Sequence, residues 1–118
     1  AMYKIQIAGR GDVPADATGV VANLTVIFPD GPGFATIYPC TPTVPLASTL
    51  NYGLGNVIAN NTVVPLDANG DICVFTLRGA DFALDINGFT PADSPIVGIS
   101  ITYARFVRIY SAVTSTTP

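Results

Sequence analysis

Histidine, tryptophan and glutamate do not occur in this 118-residue chain. Their absence removes the commonest general base, the imidazole metal ligand and the largest sugar-stacking ring. Charge is also scarce. Charged residues make up 11% of the chain, against a usual share of about a quarter. One lysine, four arginines and eight aspartates leave a net charge of −3, so no basic face exists to neutralise phosphates and nucleic acid is not an expected partner. No apolar run is long enough for a helical membrane span. The N-terminus lacks a basic segment followed by an apolar stretch, so an export signal, if the protein has one, was removed or lies outside this chain. Ala1 and Met2 read as a cloning remnant.

What the chain does hold is apolar residues, 49% of the total, with eleven glycines and ten prolines. That composition excludes charge-driven disorder, and the length suits one domain with its own core. Helical spacing of apolar residues is interrupted everywhere by Gly or Pro, whereas alternation with period two recurs. In residues 2–8, Tyr3, Ile5 and Ile7 oppose Lys4 and Gln6. In residues 20–28, Val20, Ala22, Leu24, Val26 and Phe28 share one face. Residues 34–38 read as a short strand paired to its predecessor as a hairpin through the turn at residues 29–33, with Pro39 stopping it. Residues 48–52 and 61–66 are weaker strands joined by a glycine-rich connection. Asn69-Gly70 is the strongest hairpin signal, followed by alternation in residues 71–77 and 82–89. Residues 96–101 and 106–110 complete the count.

The expected fold is therefore all-β: one antiparallel β-sandwich, Ig-like or jelly-roll-like, of eight or nine strands, with a closed barrel as the alternative. Residues 1–110 form the domain, with residues 20–28 and 82–89 central. Residues 111–118 are a Ser/Thr-rich tail.

Cys40 and Cys73 are expected to form a disulfide, which places the chain in an oxidising compartment; two buried free thiols are the alternative. The sequons at Asn23 and Asn60 lie inside apparent strands and read as chance occurrences.

Residues 13–18 (Val-Pro-Ala-Asp-Ala-Thr) followed by 20–26 (Val-Val-Ala-Asn-Leu-Thr-Val) resemble a repeated module of secreted bacterial surface proteins. The resemblance continues through residues 33–40, 48–52, 61–66 and 85–89, spanning about residues 3–90. It implies a β-rich, non-catalytic extracellular module, often in tandem or attached to secreted hydrolases, and it brings no catalytic residue. Modules of this kind usually begin with an Arg-containing strand. Here a comparable segment stands at the other end, in residues 104–110. Such a strand would either close its own domain, as in a circular permutation, or complete a neighbouring copy.

Several constellations suggest chemistry. Asp67, Asn69 and Asp71 place oxygens at alternate positions, as a calcium loop does, but the glycine comes one residue early and Arg78 stands where the closing acid belongs. A hairpin turn accounts for the same residues. Arg10-Gly11-Asp12 spells an integrin-recognition tripeptide on an expected turn, built from ordinary turn residues. Tyr38 and Tyr52, with Asn51 and Asn56, are the candidate ligand-binding residues: aromatic platforms and amides suited to a sugar. At strand spacing such tyrosines also serve as core. Asp85 is expected to be partly buried and paired to Arg105 or Arg108. Lys4 reads as a solvated strand lysine, with an amide crosslink as the alternative. No catalytic residue, cofactor or metal is expected. The expected function is a non-enzymatic structural or adhesive module at the cell surface, binding a glycan or a neighbouring module. The alternative is a homo-oligomer or fibre subunit using terminal strand complementation.

Overall fold

The computed structural model describes residues 2–92, and residues 102–111 as backbone. Eight strands are described: β1 (Met2–Gln6), β2 (Gly19–Ile27), β3 (Gly33–Pro39), β4 (Leu50–Tyr52), β5 (Val57–Pro65), β6 (Asp71–Thr76), β7 (Asp81–Thr90) and β8 (Thr102–Ser111). They build two four-stranded antiparallel sheets, ordered β1-β6-β3-β4 and β5-β2-β7-β8. Neither sheet closes on itself, so the barrel alternative does not form.

The alternation in β2 sets the second sheet. Val20, Ala22, Leu24 and Val26 have no exposed surface, while Val21, Asn23, Thr25 and Ile27 are half-buried on the opposite face. β7 supplies Phe82, Leu84 and Ile86 to the same core. From the first sheet come Ile72 and Val74 of β6, Ala35 and Ile37 of β3, and Ile5 of β1. Tyr3 of β1 meets Phe82 of β7 with ring centroids 5.3 Å apart, so an aromatic contact joins the two layers. Each of these large side chains contributes about 1.5–3 kcal/mol on leaving water, which favours period-two residues over any competing register.

Connectivity departs from the sequence expectation in two places. β3 does not pair with β2: the turn at residues 28–32 carries the chain from the second sheet to the first. Likewise the Asn69-Gly70 turn joins β5 to β6 across the sheets instead of forming a hairpin. Among the described strands, β3–β4 and β7–β8 are the pairs adjacent in chain order that also pair in a sheet. Phe28 was expected to face the core but is 69% exposed, with φ +47°. Pro29 takes the buried position instead, and the two chain links Phe28 N–H to Asn56 O (2.8 Å) and Gly55 N–H to Pro29 O (3.0 Å) hold the turn in that state.

Strand limits shift as well. β3 runs through Pro39, β4 is only three residues, and β5 begins at Val57 within the expected glycine-rich connection. The segment expected as a strand at residues 96–101 and residues 112–118 of the expected tail lie outside the described residues, while Ser111, expected to begin the tail, ends β8. β8 pairs antiparallel with β7 of its own chain, forming the edge of the second sheet. Its register sets Arg108 opposite Asp85, which is 4% exposed and also faces Asn23 of β2.

Candidate functional site

A groove of about 430 Å³ opens along the side of the molecule where β3 and β5 approach each other. Its existence follows from the shortness of β4. Beyond Ala35, β3 has no β4 residue beside it, and the chain between Cys40 and Thr49 folds back in its place. Three hydrogen bonds fix that segment: Thr49 N–H to Ala35 O (2.8 Å), Ile37 N–H to Thr49 Oγ1 (3.0 Å) and Thr36 Oγ1 to Ala47 O (3.1 Å). The Cys40–Cys73 disulfide, with Cα atoms 5.0 Å apart, anchors its start to β6. Asn60 of β5 reaches across and donates from Nδ2 to Thr49 O at 2.8 Å.

The polar lining includes Thr36, Tyr38, Ser48, Thr49, Asn60, Asn61 and Thr62, beside Pro39, Pro45 and Val63. None is charged. From Gly31 to Leu66 the chain itself holds no charged residue, although the Arg78 side chain lies against Gly31 and Gly33 at the start of β3. Amides and hydroxyls both donate and accept, so such a wall matches a neutral, hydroxyl-rich ligand better than an ion.

The residues singled out in the sequence are not gathered in one place. Tyr38 lines the groove but is 4% exposed, and Tyr52 is 6% exposed in the core face of β4, so neither ring offers a free face for stacking. The Tyr52 hydroxyl donates to Arg78 O (2.9 Å) and accepts Arg78 N–H (3.1 Å). Burial pushes its pKa above the ordinary phenol value, the bond from Arg78 opposes this in part, and the nearby charge of Asp30 adds to the rise. Asn51 is exposed and accepts from Ser48 Oγ at 3.2 Å. Asn56 is spent on its own turn, accepting Gly53 N–H at 2.6 Å.

Arg10, Gly11 and Asp12 sit on an exposed turn, and Arg10 Nη1 folds back to donate to Gln6 O at 3.0 Å. Asp67 caps the turn before β6: its Oδ1 accepts the N–H groups of Asn69 (2.9 Å) and Asp71 (2.8 Å). Asp71 faces Lys4 Nζ at 3.7 Å. A second depression, of about 380 Å³, lies between residues 15–18 and 66–70, with Asp16, Asp67 and Asn69 on its wall. Among the described residues no group of three or more His, Cys, Asp or Glu side chains is arranged to hold a metal ion.

Sequence reading missed Thr36, Ser48, Asn60, Asn61 and Thr62. The available signal was the polar run Asn60-Asn61-Thr62 in a segment otherwise apolar and without charge. No family model, curated protein or solved structure matches the chain.

Proposed function

We propose that the two sheets make a β-sandwich module that works outside the cell as a non-catalytic structural or adhesive element, and that its groove grips a neutral saccharide. The observation that carries this reading is the uncharged, amide- and hydroxyl-lined groove, about 430 Å³ in volume, held open by a disulfide-anchored segment. That volume falls within the range of about 300–1,000 Å³ found for small-ligand sites. The disulfide supports an oxidising, extracellular setting. The resemblance to surface modules of secreted bacterial proteins points the same way. With both tyrosine rings buried, affinity rests on hydrogen bonds from Asn60, Asn61 and Ser48 and on apolar contact with Pro39, Pro45 and Val63.

An array of neutral and charged oligosaccharides tests this. At least one neutral glycan is expected to bind, and Asn61→Ala is expected to weaken it about tenfold, the equivalent of one lost hydrogen bond to a buried polar group. Preference for charged glycans, or indifference to Asn61→Ala, would contradict the reading.

A further inference from the structure

Among the described residues the two sheets have four edge strands, and three of them are blunted. β4 is three residues long, β1 is five residues long and carries Lys4, and β8 contains Arg105 and Arg108. Short length and charge are the usual devices against unwanted strand pairing. β5 has neither. It is nine residues long, contains no charge, has its one proline at the last position, and is exposed along most of its length. Five of the eight large exposed apolar side chains of the described residues, Phe28, Leu54, Val57, Ile58 and Val63, lie on β5 or in the connections at its start.

We propose that β5 is a homotypic docking edge along which two copies of this chain pair antiparallel to form one continuous eight-stranded sheet. The occupant follows from charge and symmetry. Each copy carries a net charge of −3, and β5, which contains no charged residue, is an edge along which two copies can pair without setting like charges opposite each other in the ladder. An antiparallel pair of identical edge strands is related by a two-fold axis normal to the sheet, so the contact is self-complementary and closes at two. That axis keeps the core faces of both sheets on one side, and only residues of the same face can then oppose each other.

Register can be chosen on these grounds. Val57 and Val63 share the outer face, opposite Ile27 and Val21 of β2. Pairing centred on Asn60 sets Val57 against Val63 of the second copy, twice, and Ile58 against Thr62. Pairing centred on Asn61 would set Val57 against Pro65. The first arrangement matches valine with valine and leaves Pro65, which has no N–H, beyond the matched valines, whereas the second brings Pro65 into the ladder. A single strand pair is a small contact, so the association belongs to the weak, concentration-dependent class.

Sedimentation velocity of the whole chain without sugar, across a concentration series, is the test. Wild type is expected to pass from monomer to dimer and no further. Val57→Lys with Val63→Lys, and separately Val57→Asp with Val63→Asp, are each expected to stay monomeric, and an equimolar mixture to dimerise. Both positions are exposed, and circular dichroism like that of wild type checks that the variants fold. Ala59→Lys, away from the groove lining, provides a second blocked edge. A wild type that stays monomeric throughout, open-ended polymers, association undiminished by the lysines, or a mixture that fails to dimerise would overturn the proposal. Because β5 also borders the groove, sedimentation is run without sugar and saccharide binding is read separately on the array, so failure of one reading is distinguished from failure of the other.

Discussion

Gly70 shows what single positions contribute here. Its φ of +79° lies in the left-handed region, and a Cβ built on it would fall onto the Cβ of Ala8. Its carbonyl also accepts the N–H groups of Ile7 and Ala8, both at 3.0 Å, so the turn is locked to the end of β1. Gly70→Ala is expected to cost at least about 1–2 kcal/mol from backbone strain alone, and more from the displaced Ala8, as read by urea denaturation.

Tyr52 is a second such position. A phenol whose pKa is raised by folding stays protonated after its unfolded counterpart has ionised. The unfolded state then binds fewer protons than the folded one, and stability falls as pH rises. The contribution is complete below about pH 10, the ordinary phenol value, and is lost as pH rises through the folded pKa. Tyr52→Phe is expected to cost about 1 kcal/mol at neutral pH through the bonds to Arg78, and to flatten the alkaline part of the stability profile. A profile with the same alkaline slope in both proteins would contradict the assignment.

At the scale of elements, the faces of β2, β6 and β7 were legible because each strand's inner face is covered by the opposite sheet, and burial then enforces period two. Connectivity was not legible. A tight turn such as Asn69-Gly70 has the same composition whether it returns the chain to its own sheet or carries it across the core, and here it crosses. β5 was read short because its first residues, Val57 to Asn60, are exposed on both faces and give no alternation. Cys40 and Cys73 were legible as a pair, and the structure joins them. Their bond closes a loop of 33 residues' separation. Reduction, or Cys40→Ser with Cys73→Ser, is expected to remove about 3–4 kcal/mol of stability on the chain-entropy account. The segment at residues 41–49 should then be the first to lose amide protection in hydrogen exchange, because the disulfide anchors its start. Uniform loss across all strands would count against that role.

At the scale of the whole molecule, the uncharged run of residues 31–66, which supplies β3, β4 and β5, organises both proposals. Residue types alone pointed to Tyr38, Tyr52, Asn51 and Asn56 as ligand groups. The fold uses Tyr52 and Asn56 internally and buries the ring of Tyr38. The groove instead draws on residues about 25 apart in sequence, Thr36 with Asn60 and Asn61, brought together because β4 stops early. No local pattern announces such a meeting of β3 and β5 from different sheets. The central claim is that this uncharged groove is the working surface. Amide chemical-shift mapping during titration with the best-binding neutral oligosaccharide tests it most directly. Shifts are expected at residues 36–39, 45–49 and 60–65. Shifts concentrated instead at the Arg10-Gly11-Asp12 turn or around Asp16 and Asp67 would contradict it.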